Sequence, residues 1–190
     1  MFDHFNILAP IYERVIKAKL PERLVELVDI NSTERMLDAG GGTGRVSQFF
    51  SDRVDQIIIA DSSFQMLAKS KSKNGLYPVN SISEILPFPN ESFDRIIMVD
   101  ALHHVYDQSK TAQELWRVIK PGGKIVIEEP DIHNRSVKLI ALAEKLAFMR
   151  SHFLDGHEIQ NLFSSFPADI EIYKEEHFVW VIVDKKQEKN

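Results

Sequence analysis

Cysteine is absent from this 190-residue chain, which removes disulfides, thiolate metal sites and thiol nucleophiles together. A basic excess is missing as well: 23 Lys and Arg stand against 28 Asp and Glu, a formal net charge of −5. Readers of nucleic acid usually carry a basic face, so no nucleic-acid partner is expected. No run approaches the ~18 apolar residues that span a bilayer, and stable membrane insertion is not expected either. The start, Met1-Phe2-Asp3-His4, lacks the basic stretch and apolar core of a secretory signal, so the expected location is cytoplasmic. There are no repeats and no low-complexity tracts. What remains is 44% hydrophobic and 27% charged, the make-up of an ordinary domain able to bury its own core. A single domain over 1–190 is expected.

The most informative stretch is Met36-Leu37-Asp38-Ala39-Gly40-Gly41-Gly42-Thr43-Gly44-Arg45. An apolar run enters Asp38, glycines follow, and an amphipathic segment from Arg45 to Phe50 comes next. This reads as strand, glycine turn and helix, which lets backbone N–H groups approach a nucleotide-like ligand. Gln56 to Ala60 is a second buried strand ending at Asp61. Ser62 or Ser63 caps a helix running through Met66 and Leu67 toward Lys73, which Asn74-Gly75 ends.

Further strands are expected at Leu76 to Val79, Phe93 to Val99 and Lys124 to Glu129, with a helix over 107–119 stopped by Pro121-Gly122-Gly123. Alternating strands and helices with short connections argue for an α/β fold with a mostly parallel sheet and helices on both faces. Toward the end, Val137 to Phe148 and Gly156 to Phe163 read as helices. Ile170 to His177 and Phe178 to Val183 then abut. Two strands with almost nothing between them form an antiparallel hairpin, because a parallel pair needs a crossover.

Two cofactor classes begin with strand, glycines and helix. The dinucleotide fingerprint G-x-G-x-x-G fails here, since Arg45 occupies the third glycine position counted from Gly40 and Gly42. The pattern present is G-x-G-x-G through Gly40, Gly42 and Gly44. Asp61, 17 residues past Gly44, can accept both hydroxyls of an adenosine ribose, which either cofactor class would use; a helix cap or an exposed turn acid is the plainer alternative.

Downstream stand Leu86-Pro87-Phe88-Pro89-Asn90-Glu91-Ser92-Phe93-Asp94, then Leu102-His103-His104-Val105, then Trp116-Arg117-Val118-Ile119-Lys120-Pro121-Gly122-Gly123. With the glycine loop, these ordered segments resemble the class I S-adenosylmethionine-dependent methyltransferases. The similarity is to the small-molecule branch (methyltransferase type 11) that includes the ubiquinone/menaquinone-biosynthesis enzymes, over roughly residues 35–130. Phe2-Asp3 and Ala9 to Glu13 resemble that group's leading helix less strongly. The resemblance implies a Rossmann-like seven-stranded sheet, mostly parallel with an antiparallel last strand, and S-adenosylmethionine as cofactor, leaving S-adenosylhomocysteine as product.

Roles follow from that resemblance. Asp38, Gly40, Gly41, Gly42 and Gly44 would surround the methionine and ribose. Asp61, with Ser62 beside it, would hold the ribose, and Met66 would pack on the adenine unless it is core filler. Relatives often carry an acid where Ile82 stands, so adenine recognition here would rest on backbone groups, Ser83 and apolar contact from Ile82. Asp100 and Ala101 lie where a sheet's carboxyl edge receives ligands and would meet the cofactor's ammonium. Tyr12 would close over its carboxylate, or simply pack. Residues 1–30 are expected as a helical cover and 134–155 as a substrate lid, the latter with a helix packed on the sheet or a dimer contact as alternatives.

His103 and His104 are the titratable bases near the expected methyl, suited to deprotonating an acceptor; the alternative is that both are structural. No metal is expected, because adjacent histidines on an extended segment point opposite ways and no third ligand accompanies them. Glu128-Glu129-Pro130-Asp131 reads as the end of a strand beside the substrate opening. The expected activity is methyl transfer to an O, C or N of a small-molecule acceptor, apolar or aromatic, by a monomer or homodimer. Rival readings are an inactive cofactor-sensing module of the same fold, an NAD-dependent oxidoreductase, and an enzyme methylating protein or nucleic acid, against which no N-P-P-Y-type motif follows the fourth strand.

Overall fold

The runs of β-branched residues build the strands. A computed structural model describes residues 22–134 and 151–187. Its strands are β1 (Arg35–Ala39), β2 (Gln56–Asp61), β3 (Leu76–Asn80), β4 (Phe93–Val99), β5 (Ile119–Pro130), β6 (Ala168–Glu175) and β7 (Phe178–Lys185). Its helices are α1 (Glu22–Val28), α2 (Phe64–Ser70), α3 (Gln108–Val118) and α4 (Gly156–Leu162). The expected helix over 137–148, Tyr12, residues 1–21 of the 1–30 cover and residues 135–150 of the 134–155 lid lie outside the described residues.

One seven-stranded sheet has the order β3-β2-β1-β4-β5-β7-β6. The first five strands pair in parallel, whereas β7 runs antiparallel to both β5 and β6. The terminal hairpin is therefore inserted with its second strand beside β5, as the resemblance implies. Neighbouring residues on each central strand serve opposite faces. Leu37, Ile96, Ile125 and Ile127 pack with Ala112, Leu115 and Ile159 on one side. Met36, Ile97 and Val126 pack with Leu24, Val28, Phe50 and Leu67 on the other. Covering on both faces is what a nearly unbroken apolar strand such as Ile57-Ile58-Ile59-Ala60 requires.

Several boundaries shift from the sequence expectation. Of the two expected caps Ser63 is the one that caps α2, its hydroxyl accepting the Met66 N–H at 3.3 Å, but the helix ends at Ser70, before Asn74-Gly75. Helix α3 ends at Val118, and β5 starts at Ile119 rather than Lys124, so the Pro-Gly-Gly segment lies inside the strand as an irregularity. The expected helix at 45–50 is instead a short 3₁₀ turn, Ser47–Phe49. Its i→i+3 bonds, Phe49 N–H to Val46 and Phe50 N–H to Ser47, are of the kind that tighten a turn and stop propagation. Gly44 sits at φ +70°, and a Cβ there would lie 2.7 Å from Leu76 Cδ1. The glycine loop is therefore pressed against β3, with backbone angles that L-residues rarely adopt.

Two of the recognised motifs prove to be scaffolding. Arg117 on α3 donates to Glu114 at 2.8 Å and to the carbonyls of Phe88 at 2.8 Å and Leu86 at 3.0 Å. Glu114 in turn accepts the Leu86 N–H at 2.9 Å. The Pro-Phe loop is thereby tied to the helix. Asp94 accepts the Arg35 N–H at 2.9 Å and pairs with Lys120 at 2.8 Å, linking β4, β1 and β5. Arg117→Ala is expected to cost about 2 kcal/mol, several modest hydrogen bonds lost together. Chemical denaturation would read it, and a variant as stable as wild type would contradict the tie.

Candidate functional site

Strand order reverses around β1 and β4: the chain winds outward from β1 through β2 to β3, then returns to β4 on the other side. Open α/β sheets bind ligands at such a switch, beyond the carboxyl ends of the strands. The glycine loop leaves β1 there, and Asp100-Ala101 leaves β4. They touch closely, since a Cβ on Gly40, at φ +75°, would lie 2.7 Å from Ala101 Cβ.

Asp61 ends β2 facing that loop. Its Oδ2 accepts the Gly42 N–H at 2.9 Å and its Oδ1 the Ser63 N–H at 2.7 Å. A carboxylate offers about four lone-pair sites, enough for two backbone amides and the two hydroxyls of a ribose. Met66 is buried, and its Cβ would lie 3.9 Å from one on Gly42. Ser62 is exposed, Ile82 is 49% exposed and Ser83 is buried. Asp61, Gly42 and Met66 thus come together, with Ile82 offering an accessible apolar surface.

Asp38, at the end of β1, is 2% exposed and accepts a 2.5 Å bond from the Ser47 hydroxyl. Burial pushes its carboxyl up to about 7, with the Asp61 charge adding to the rise against Ser47 and Arg45. A group so placed favours a cation beside it. Asp100 adopts φ +54°, uncommon for a non-glycine residue, and its N–H bonds the Glu128 carbonyl at 2.9 Å.

The two histidines differ from expectation. They lie in a 3₁₀ turn, Leu102–His104, rather than an extended segment, so their rings do not point opposite ways but meet at 3.9 Å between centroids. His103 is buried, stacked on Phe153 at 4.2 Å, with Nδ1 2.5 Å from Glu129 Oε2. Burial, and then the His103 charge, pull His104 down to about 3. Among the described residues no group of three or more His, Asp or Glu stands together to hold a metal.

Sequence reasoning missed three groups. Glu129 gave no signal beyond an acidic strand end, although strand alternation separates it from Glu128, which accepts the Trp180 N–H at 2.8 Å across to β7. Thr43 Oγ1 in the glycine loop and Ser81 Oγ just past β3 are buried with no hydrogen-bond partner among the described residues. Such hydroxyls usually have one, and both lie on loops that frame the cleft. A groove of about 540 Å³ lined by Tyr106, Gln108, Leu154 and Leu162 includes no glycine-loop residue.

Residues 37–127 match the family described as "Methyltransferase domain". The ubiquinone/menaquinone biosynthesis C-methyltransferase UbiE of Methylococcus capsulatus is 32% identical over 125 residues, covering 60% of this chain and 50% of that protein. The chain spans about half the length of the curated relatives it matches. A Thermotoga maritima structure, described as a SAM-dependent methyltransferase, aligns with a TM-score of 0.78 at 20% identity over 96% of this chain and 98% of that one. The [4+2]-cyclase SpnF aligns at 0.77 with 13% identity over 97% and 94%.

Proposed function

We propose that this chain, whose residues 37–127 match the family described as "Methyltransferase domain", is a class I S-adenosylmethionine-dependent methyltransferase and transfers the methyl group to an oxygen, carbon or nitrogen of a small molecule. The observation that carries the reading is the convergence of Asp61, the Gly40–Gly44 loop and buried Asp38 at the switch between β1 and β4. When bound, the cofactor supplies a methyl already activated on a sulfonium. The residues of the chain then align it, exclude water and, where the acceptor requires it, remove a proton.

Asp61 would hold the ribose diol. Gly40, Gly41, Gly42 and Gly44 would line the ligand: a Cβ at Gly42 would meet nothing nearer than Asp61 Oδ2 at 3.7 Å, while Gly40 and Gly44 let the loop pack against Ala101 and Leu76. Asp38 would stand against the positive end, with Asp100 and Ala101 beside the ammonium. Met66, Ile82 and Ser83 would frame the adenine, and Thr43 and Ser81 would give their hydroxyls to the ligand. His103 and His104 would stand at the acceptor end.

Transfer from labelled S-adenosylmethionine to a panel of phenols, quinols, amines and carboxylates is the experiment, and a product with any of them is expected. The fold is shared by a protein described as a [4+2]-cyclase, so the fold alone leaves a second reading, in which cofactor binds and no methyl moves. Tight S-adenosylhomocysteine binding with no transfer to any acceptor would favour that reading instead.

A further inference from the structure

The loop after β4 rests on a carboxylate that the reading above leaves idle. Glu129 projects from β5 and is 2% exposed. Its Oε1 accepts the N–H of Ala101 at 3.1 Å and of Leu102 at 2.7 Å, while Oε2 meets His103 Nδ1 at 2.5 Å. Three N–H donors are what an ionised, buried carboxylate needs to offset its lost hydration. An ionised Glu129 can only accept at Oε2, which would put a proton on Nδ1 and leave Nε2 as the nitrogen that exchanges one. The ring is fixed from elsewhere as well. Phe153 lies nearly parallel to it, 14° apart, and the His152 N–H bonds the His103 carbonyl at 2.7 Å.

We propose that Glu129 is a positioning residue that holds His103 in its Nδ1–H form, and that the Glu129–His103 pair is the general base for an acceptor bearing an ionisable hydroxyl. The inference rests on the methyltransferase reading. A base oriented by a third group, here a carboxylate that also stabilises the imidazolium once formed, is the recurring logic of proton-abstracting sites. His104, its basicity pulled down to about 3, chiefly by burial, retains a proton poorly near neutrality.

The balance is simple. The acceptor O–H bond breaks and its proton goes to Nε2, leaving the electron pair on the acceptor. That pair, on the oxygen or delivered through a conjugated ring carbon, forms the new bond to the methyl carbon. The methyl–sulfur bond breaks with its pair left on sulfur. The imidazolium then releases its proton to solvent, and a ring carbon that was attacked loses its hydrogen as a second proton while the hydroxyl regains one.

Glu129→Gln separates positioning from scaffolding. The amide oxygen can still accept from Ala101 and Leu102, but its NH₂ donates to Nδ1 and moves the ring proton to Nε2. Replacing an orienting carboxylate by its amide in this way costs up to about 10⁴ in kcat elsewhere. Three measurements apply. Calorimetry with S-adenosylhomocysteine should give an affinity within about threefold of wild type, the loop being retained. Nitrogen-15 spectra of His103 should show the Nδ1–H form in wild type and the Nε2–H form in the variant. With 1,4-naphthoquinol, catechol and 4-hydroxybenzoate as probes and labelled methyl donor, kcat on any probe used should fall by about 10²–10⁴ with KM little changed. Its acid limb should move as well.

Glu129→Asp, which keeps the charge, should recover part of the rate. An unaltered kcat in Glu129→Gln, or an Nε2–H tautomer in wild type, overturns the proposal. Should Glu129→Gln fail to fold, the wild-type tautomer and the Glu129→Asp rate decide. A wild type that binds S-adenosylhomocysteine yet methylates none of the hydroxylated probes overturns the acceptor class. If S-adenosylhomocysteine does not bind at all, it is the function itself that fails.

Discussion

Asp61→Ala is expected to weaken S-adenosylhomocysteine binding by about 100-fold, with the protein still folded. The carboxylate does two things at once. It fixes the glycine loop through the Gly42 N–H at 2.9 Å and the start of α2 through the Ser63 N–H at 2.7 Å, and it faces the position proposed for the ribose. Hydrogen bonds to a charged group contribute about 1.5–3 kcal/mol each, and every 1.4 kcal/mol is tenfold in affinity. Loss of the diol contacts alone therefore reaches the expected size. Asp61→Asn, which keeps one acceptor oxygen, should fall between. Equal affinities in all three proteins would remove Asp61 from the site.

The second large effect is on pH dependence and comes from Asp38. Its carboxyl is raised from 3.8 to about 7, chiefly by burial. The folded protein then holds a proton that the unfolded chain releases, so this group's contribution to stability falls as pH rises from about 4 to about 7 and levels off above. A displacement of that size is worth roughly 4 kcal/mol for a fully buried group. Asp38→Asn removes the slope, so the variant should gain on wild type by up to that amount between pH 4 and pH 8 in denaturation curves. Binding shows the same ionisation. The methyl donor carries one more positive charge than the product, so the donor-to-product affinity ratio should rise from pH 6 to pH 8 in wild type and stay flat in Asp38→Asn. A wild-type ratio unchanged with pH would contradict the placement of Asp38 beside the sulfonium.

Much of the fold was legible because it is written in short-range patterns. Ile57 to Ala60 is buried on both faces and reads so from its lack of polar alternation. The abutment at His177-Phe178 forces a hairpin, and with the resemblance that leaves β7 beside β5. The 3₁₀ turn at Ser47–Phe49 was not legible, because it depends on the Ser47–Asp38 bond and on Gly44 being pressed against Leu76 and Ile59. Val46, Phe49 and Phe50 alone fit a helix equally well. The same limit applies to the site. Asp61 and the glycines announce themselves by residue type and place, whereas the Glu129–His103 contact joins residues 26 apart, one on β5 and one in the turn after β4. One signal was available: β5 alternates, so Glu128 and Glu129 face opposite sides, and one of them had to meet the loop after β4. The segments around Arg117 and Asp94 carry the resemblance and yet hold the scaffold, since a recurring fold recurs in its ties as well as in its chemistry.

The central claim is that the cleft at the switch of strand order takes an adenosyl cofactor of the methyl-donor class. Calorimetric titration of the wild-type protein with S-adenosylhomocysteine and, separately, with NAD tests it most directly. The account predicts saturable one-to-one binding of S-adenosylhomocysteine and no heat from NAD. Binding of NAD without S-adenosylhomocysteine would contradict it.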